Sequence, residues 1–245
     1  MSRLDSGAPT LAVARAGESE RRSTARKVAR GTGQALITLG LVLLLFAIYE
    51  VYGKASAIDA RQRSLSQQLD RAWATAASPT AAAPTAAAPT GQAVPDGTAF
   101  ARLYLPRLGL HWVVVEGISL ADIADAPGHY PETAMPGEFG NFSVAGHREP
   151  GMFWDLQRVQ PGDAIVVETR TSWYVYHVTI NEIVTPHSIE VIAPTPDEPG
   201  APPDAAMLTL TTCNPKWSNS QRMIVHARLD QTTARSAGPP ASLGG

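Results

Sequence analysis

The sequence predicts a mainly β domain, a small closed or nearly closed barrel with two or three short helices, carried behind a single transmembrane helix. Three observations predict it. Between residues 99 and 232, short runs rich in β-branched and aromatic residues are separated by Gly- or Pro-bearing turns. Helical signals in that region are few and short. Ahead of it, Gly31 to Tyr49 is an uncharged run of 19 residues, bracketed by Arg30 and Glu50.

The uncharged run comes first. At about 1.5 Å rise per residue, a helix of that length crosses the hydrocarbon core of a bilayer, about 30 Å thick. Its residues are apolar all round, which disfavours a core helix with one polar face. A cleaved signal peptide fits less well, because the basic head is long and only a weak "ASA" follows. Residues 1–30 carry seven Arg or Lys against three acids. By the positive-inside bias, 1–30 is then cytoplasmic, 31–53 is the signal anchor, and the remainder lies outside the cell.

Past the membrane, residues 54–76 are good helix formers with Ile58, Leu65, Leu69 and Trp73 on one stripe. The expectation is a juxtamembrane helix serving as a stalk or a dimer seam. Residues 77–98 repeat Ala, Pro and Thr ("AAAPTAAAPT"), which cannot build a core and favours extended polyproline II. This is a linker, and 233–245 reads as a disordered tail. The domain itself is 99–232. Residues 98–232 hold eight basic residues against fifteen acidic ones, so nucleic acid is a poor partner.

Seven strand-like runs stand out in the domain: "FARLYLP", "HWVVVEG", "NFSVAGH", "AIVVETR", "SWYVYHVTINEIVTP", "AMLTLTTC" and "QRMIVHARL". Short helices are expected at "SLADIADA", opened by Ser119, and at "GMFWDLQ".

Chemistry enters with the one cysteine. Cys213 ends "LTLTTC", in which Leu208, Leu210 and Thr212 share one face and Thr209, Thr211 and Cys213 the other. Arg222 opens the next run. Paired as an antiparallel hairpin, these runs put Cys213 and Arg222 at the same end of the sheet. A guanidinium there favours the thiolate and can donate to a developing oxyanion. A Cys nucleophile needs a proton-transfer partner. Of six histidines, His111, His177 and His226 lie inside strand-like runs, whereas His147 ends one and precedes the loop "REPGMFW". Against this stands the plainer reading of Cys213 as a small buried hydrophobe. Extracytoplasmic thiols are usually paired, so an unpaired one is either buried and inert or free for a purpose.

"TLTTC" with Arg222 nine positions on, together with "GNFSVAGHRE" around His147, resembles the sortase family over residues 100–230. "APGHYPETAMPGEFGN" and "TTCNPKWSNSQR" are most similar to class E, with class D close. The resemblance implies an eight-stranded sortase-type β-barrel and a cysteine transpeptidase of the hydrolase class. It matches Cys213 to the nucleophile, His147 to the general acid/base and Arg222 to the oxyanion-side arginine. Tyr130 matches a tyrosine linked to preference for LAxTG over LPxTG sorting signals; Thr212 and Asn214, flanking the cysteine, are expected at the substrate.

The implied substrates are secreted proteins with C-terminal sorting signals, cleaved between Thr and Gly through an acyl-thioester on Cys213. The implied acceptor is a peptidoglycan amine. No cofactor is expected. Asp197, Glu198 and Asp204, in the connection before the cysteine strand, read as solvated acids rather than calcium ligands. Two alternatives stand beside this reading. One is a pilin-polymerising sortase, which often carries a lid and a second C-terminal membrane segment. The other is a non-catalytic β-barrel binding module with an unreactive Cys213.

Overall fold

The computed structural model describes residues 9–49, 53–76 and 94–244. The expected linker falls largely outside them, at 77–93, as do residues 1–8. Two compact units are present, divided at Val51 and Tyr52.

The first unit contains helix α1, Pro9–Ile48, whose Arg26–Ile48 part is long and apolar enough to cross a membrane. Leu43, Leu44 and Phe46 are each more than half exposed, which suits contact with lipid rather than with protein.

The second unit is built on eight strands: β1 (Ala99–Leu105), β2 (Leu110–Glu116), β3 (Gly128–His129), β4 (Gly140–Ala145), β5 (Ala164–Glu168), β6 (Ser172–Val184), β7 (Ala206–Asn214) and β8 (Gln221–Ala234). They close as a barrel in the order β1-β2-β3-β4-β7-β8-β6-β5. Closure leaves no sheet edge unpaired. The strands' alternation sends one set of side chains inward, so Leu103, Val114, Phe142, Ile165, Leu208 and Val225 meet in one core.

Seven strands coincide with the alternating runs. The eighth, β3, has only two residues, too few to show a period. It pairs parallel with β2 and antiparallel with β4. Close approach makes Gly128 obligatory there: a Cβ would stand 2.1 Å from the Gly117 carbonyl oxygen.

Three other expectations are corrected. Residues 119–126 form turns, not a helix; Ser119 N donates to Asp122 Oδ2 at 3.0 Å and Asp122 N to Ser119 Oγ at 3.3 Å, closing a local turn. So short a segment, ending at Pro127, does not repay helix nucleation. The segment after Thr232 is ordered as far as Gly244. β8 runs on to Ala234, Arg235 Nε donates to Glu168 Oε1 at 2.7 Å, and Leu243 packs on Val166, Trp173 and Val175. Burial of that apolar side chain and the ion pair anchor a tail whose composition alone suggests disorder.

Finally, helix α2 (Lys54–Ala76) is neither a free stalk nor a seam for a second copy. Its stripe of Ile58, Leu65, Leu69 and Trp73 is buried within the same unit. Leu65, Leu69 and Trp73 pack on Val113, Val115 and Ala126. The Gln62 carboxamide accepts from Val113 N at 2.6 Å and donates to Asp125 O at 2.9 Å. Arg102 on β1 binds Asp70 at 2.6 Å, and the guanidinium groups of Arg102 and Arg235 lie over the Trp73 ring, 5.0 and 4.6 Å from its centroid. The helix covers the outer face of β1 and β2 and is part of the domain.

Candidate active site

Three adjacent strands, β4, β7 and β8, carry the site. β7 and β8 are antiparallel, and their register sets Cys213 directly opposite Arg222. β4 and β7 are parallel with a constant offset, from Gly140↔Ala206 to Ala145↔Thr211. Gly146 N donates to Thr211 O at 3.0 Å, which carries the pairing past the end of β4. The same offset brings His147 level with Cys213. His147, Cys213 and Arg222 therefore form one row across three neighbouring strands, about 10 Å from end to end at the ~4.8 Å strand spacing.

Two local features hold His147 there. Its N–H points at Met152 Sδ, 3.1 Å away, and its carbonyl accepts from Phe153 N at 3.2 Å. The preceding glycine lets the chain cross the Phe153 ring, where a Cβ on Gly146 would stand 2.6 Å from a ring carbon. Any other residue displaces either the ring or the histidine.

Cys213 is half-buried and unpaired. It opens, with His147, Trp217, Ser218 and Asn219, onto a cavity of about 480 Å³. At the rim Trp217 is 75% exposed and meets Trp154 edge-on at 5.0 Å. Lys216 Nζ lies 4.1 Å from the Trp154 ring centroid and 3.1 Å from Asp155 Oδ1. Burial works to raise the Asp155 carboxyl. The hydrogen bond and charge of Lys216, helped by Gln157 and Arg158, outweigh it and hold that carboxyl below the usual carboxylate range.

Arg222, opposite Cys213 in register, does not line this cavity; its Nη1 donates to Asn219 O and Gln221 O at 2.9 Å each. A second arginine is closer to the backbone of the cysteine and was not singled out by the sequence. Arg148 Nη1 donates to Cys213 O at 3.3 Å and Asn214 Oδ1 at 3.1 Å, and Nη2 to Gln157 Oε1 at 2.7 Å. Burial pushes its pKa down, against the opposing influence of Asp155 and Cys213, and an arginine so placed still keeps its charge. Its place immediately after His147 was the available signal, since both emerge from one strand end.

The three residues expected at the substrate fare differently. Tyr130 Oη lies 3.0 Å from Thr211 Oγ1, two residues from Cys213 on the same face. Asn214 braces the strand end, accepting from Arg148 and donating to Gln221 Oε1 at 3.0 Å. Thr212 is 3% exposed, lies opposite Met223, and by alternation faces the core with Leu208 and Leu210. Its side chain is not brought to the cleft; only its backbone is near. His129 and His226 are also accounted for away from the cleft. His129 is buried between Glu116 (2.8 Å) and Thr133 (3.0 Å).

A lone thiol and an imidazole lining an open cleft of a β-barrel, with an arginine paired to the cysteine in register, fit a cysteine-dependent acyl-transfer enzyme. The chain belongs to the sortase family: the sortase domain model matches residues 103–230. It is similar to sortase SrtE1 of Streptomyces coelicolor, 34% identical over 92% of this chain and 66% of that protein's length. Among solved structures, the SrtA sortase from Actinomyces oris matches with a TM-score of 0.60 and 38% identity, covering 64% of this chain and 94% of that one. Sortase E1 from Streptomyces coelicolor, solved with a tripeptide in its active site, matches with a TM-score of 0.55 and 37% identity, covering 60% and 97%. Its relatives therefore include class E sortases.

Proposed function

We propose that this protein is a membrane-anchored transpeptidase. It cleaves the Thr–Gly bond of LAxTG- or LPxTG-type C-terminal sorting signals and joins the released carboxyl end to a peptidoglycan amine. The observation that carries the reading is the His147–Cys213–Arg222 row, of which His147 and Cys213 line an open cavity. The tripeptide in the related Streptomyces coelicolor enzyme supports a peptide as substrate.

The chemistry follows from that row. The Cys213 thiolate attacks the threonine carbonyl carbon, and the developing oxyanion is met by Arg222 and nearby backbone N–H groups. His147 gives a proton to the departing glycine nitrogen as the C–N bond breaks, leaving an acyl-thioester on Cys213. The acceptor amine then attacks the thioester carbonyl and loses a proton to His147, and the C–S bond breaks to regenerate the Cys213 thiolate beside protonated His147. Arg148 holds the Cys213 carbonyl and Asn214 in place through both steps. Tyr130 lies along the same face and contacts the signal residues ahead of the scissile bond.

Helix α1 is the anchor, with the N-terminal basic residues in the cytoplasm and the barrel outside. The test uses the full chain in detergent micelles, labelled LAxTG and LPxTG peptides, and a glycine or diaminopimelyl amine acceptor. The reading expects amine-dependent transfer that Cys213→Ala eliminates. Transfer undiminished in Cys213→Ala contradicts it, as does failure of wild-type protein to transfer either peptide.

A further inference from the structure

A second cluster lies on the same barrel face as Cys213 but four residues along β7, about 13 Å away at ~3.3 Å per residue. His226 on β8, Glu182 on β6 and Asp197 in the β6–β7 connection present three ligand atoms within 4.8 Å of one another. His226 Nε2 is 3.3 Å from Glu182 Oε1 and 3.5 Å from Asp197 Oδ2.

The histidine's tautomer is fixed by a buried chain of hydrogen bonds. The Asn141 amide donates through Nδ2 to the carbonyls of Val191 and Ala193, both at 3.1 Å. Its Oδ1 therefore faces the Thr209 hydroxyl, which donates to it at 2.8 Å. With its proton so used, Thr209 Oγ1 can only accept from His226 Nδ1, also at 2.8 Å. Asn141, Thr209 and His226 are all at least 98% buried. In the neutral ring, Nε2 is thus left with a bare lone pair aimed at two carboxylates.

Three electron-rich donors facing one another repel unless a cation lies between them. The spacing says which kind. Charge-assisted hydrogen bonds between an imidazolium and carboxylates close to about 2.7–2.9 Å, shorter than either separation here. Ligands held about 2.0–2.2 Å from a tetrahedral zinc stand about 3.3–3.6 Å apart, which matches both. An imidazole whose other nitrogen is tied to a hydroxyl is the usual outer-shell support of a metal ligand. The carboxylates are partly exposed, 30% for Glu182 and 46% for Asp197, so water has access to the remaining position. Asp204 and Arg228 line the adjoining cavity and roughly offset each other.

We propose that Glu182, Asp197 and His226 form a binding site for one divalent first-row metal ion, best fitted by Zn²⁺. Its ligands come from β6, the β6–β7 connection and β8, so the ion fastens that connection to the barrel wall. The site is independent of the transpeptidase reading, since it shares no residue with the His147–Cys213–Arg222 row.

The test is made on the full, untagged chain in detergent micelles, stripped with chelator. A Cys213→Ala background removes the thiol that, with His147, offers metal a competing pair. Zn²⁺ is titrated calorimetrically, and Co²⁺ is followed by its visible absorption. One equivalent is expected to bind, with Glu182→Gln and Asp197→Asn each weakening affinity about tenfold or more. Both of those side chains are partly exposed, so the variants keep the fold. Thr209→Val, which removes the support of the imidazole, is expected to weaken binding in the same direction. Absence of saturable Zn²⁺ binding overturns the proposal, as does affinity unchanged in both carboxylate variants. So does displacement of Zn²⁺ by equimolar Ca²⁺, which would assign the site to the acids alone.

Discussion

His147 and Cys213 are 66 positions apart, and 66 is also the register offset of every residue pair between β4 and β7. The histidine and the cysteine are level because the two strands run parallel in that register and the pairing outlasts β4 by one hydrogen bond. Across β7, the antiparallel pairing with β8 adds Arg222 to the row. A slip of one residue in either ladder would turn the cysteine to the opposite face from its partners. The geometry of the cleft is therefore inherited from sheet register rather than from loop conformation.

Arg148→Met is expected to lower kcat/KM about 10- to 100-fold, the equivalent of roughly 1.5–3 kcal/mol for hydrogen bonds from a charged donor. Arg148→Lys recovers only part, because one ammonium cannot span Cys213 O, Asn214 Oδ1 and Gln157 Oε1. Its role is to position the nucleophile, so the pH profile of Cys213 alkylation should shift as well. An unchanged profile together with kcat/KM near wild type would remove Arg148 from the account.

In the proposed mechanism Arg222 meets the substrate oxygen only as charge develops on it. Arg222→Lys and Arg222→Ala are expected to cut kcat about 10²–10³-fold with little change in KM. Steady-state kinetics on a sorting-signal peptide reads this directly. A rise in KM at constant kcat would instead assign Arg222 to ground-state binding.

Helix α2 behaves as part of the domain. Trp73→Ala deletes a ring that is 93% buried and contacted by two guanidinium groups, at an expected cost of about 3 kcal/mol. Thermal unfolding should shift down by about 6–12 °C for a unit of this size. Activity measured well below that midpoint should be little affected, because the described contacts of Trp73 are with Arg102, Arg235 and the β2 side of the barrel and not with residues lining the cleft.

The Lys216–Asp155 pair makes a pH prediction. Asp155 has a folded-state pKa below its ordinary value, so its contribution to stability is present above the unfolded value of about 4 and is lost as pH falls through the lower folded value. The difference in unfolding midpoint between wild type and Asp155→Asn should be constant near neutrality and shrink toward zero at strongly acid pH. A difference that grows on acidification would contradict the sign.

Much of this was legible in the sequence, for physical reasons. The alternation in Leu208–Cys213 and Met223–Leu229 is strong because one face of each strand is buried. That alternation, with a short turn between the runs, fixes the Cys213–Arg222 end of the hairpin. His147 could be picked out because it ends a strand. What the chain did not reveal is non-local: the parallel β4–β7 register, the two-residue β3, and the surface that receives the Ile58–Trp73 stripe. Arg148 was not singled out because its partners, Cys213 O and Asn214, lie 65 and 66 positions away. Thr212 was expected at the substrate from its place in "TLTTC", yet strand alternation turns its side chain inward. His226 looked like one more strand histidine, since Glu182 and Asp197 approach it only after the barrel closes.

The most direct measurement is to trap the intermediate. Wild-type protein is incubated with a sorting-signal peptide without acceptor amine, quenched in acid, and its intact and peptide masses are read. The account predicts a mass increase equal to the peptide up to its threonine, on Cys213 alone, removed by an added amine and absent in Cys213→Ala. An adduct on another residue, or turnover by Cys213→Ala, would contradict it.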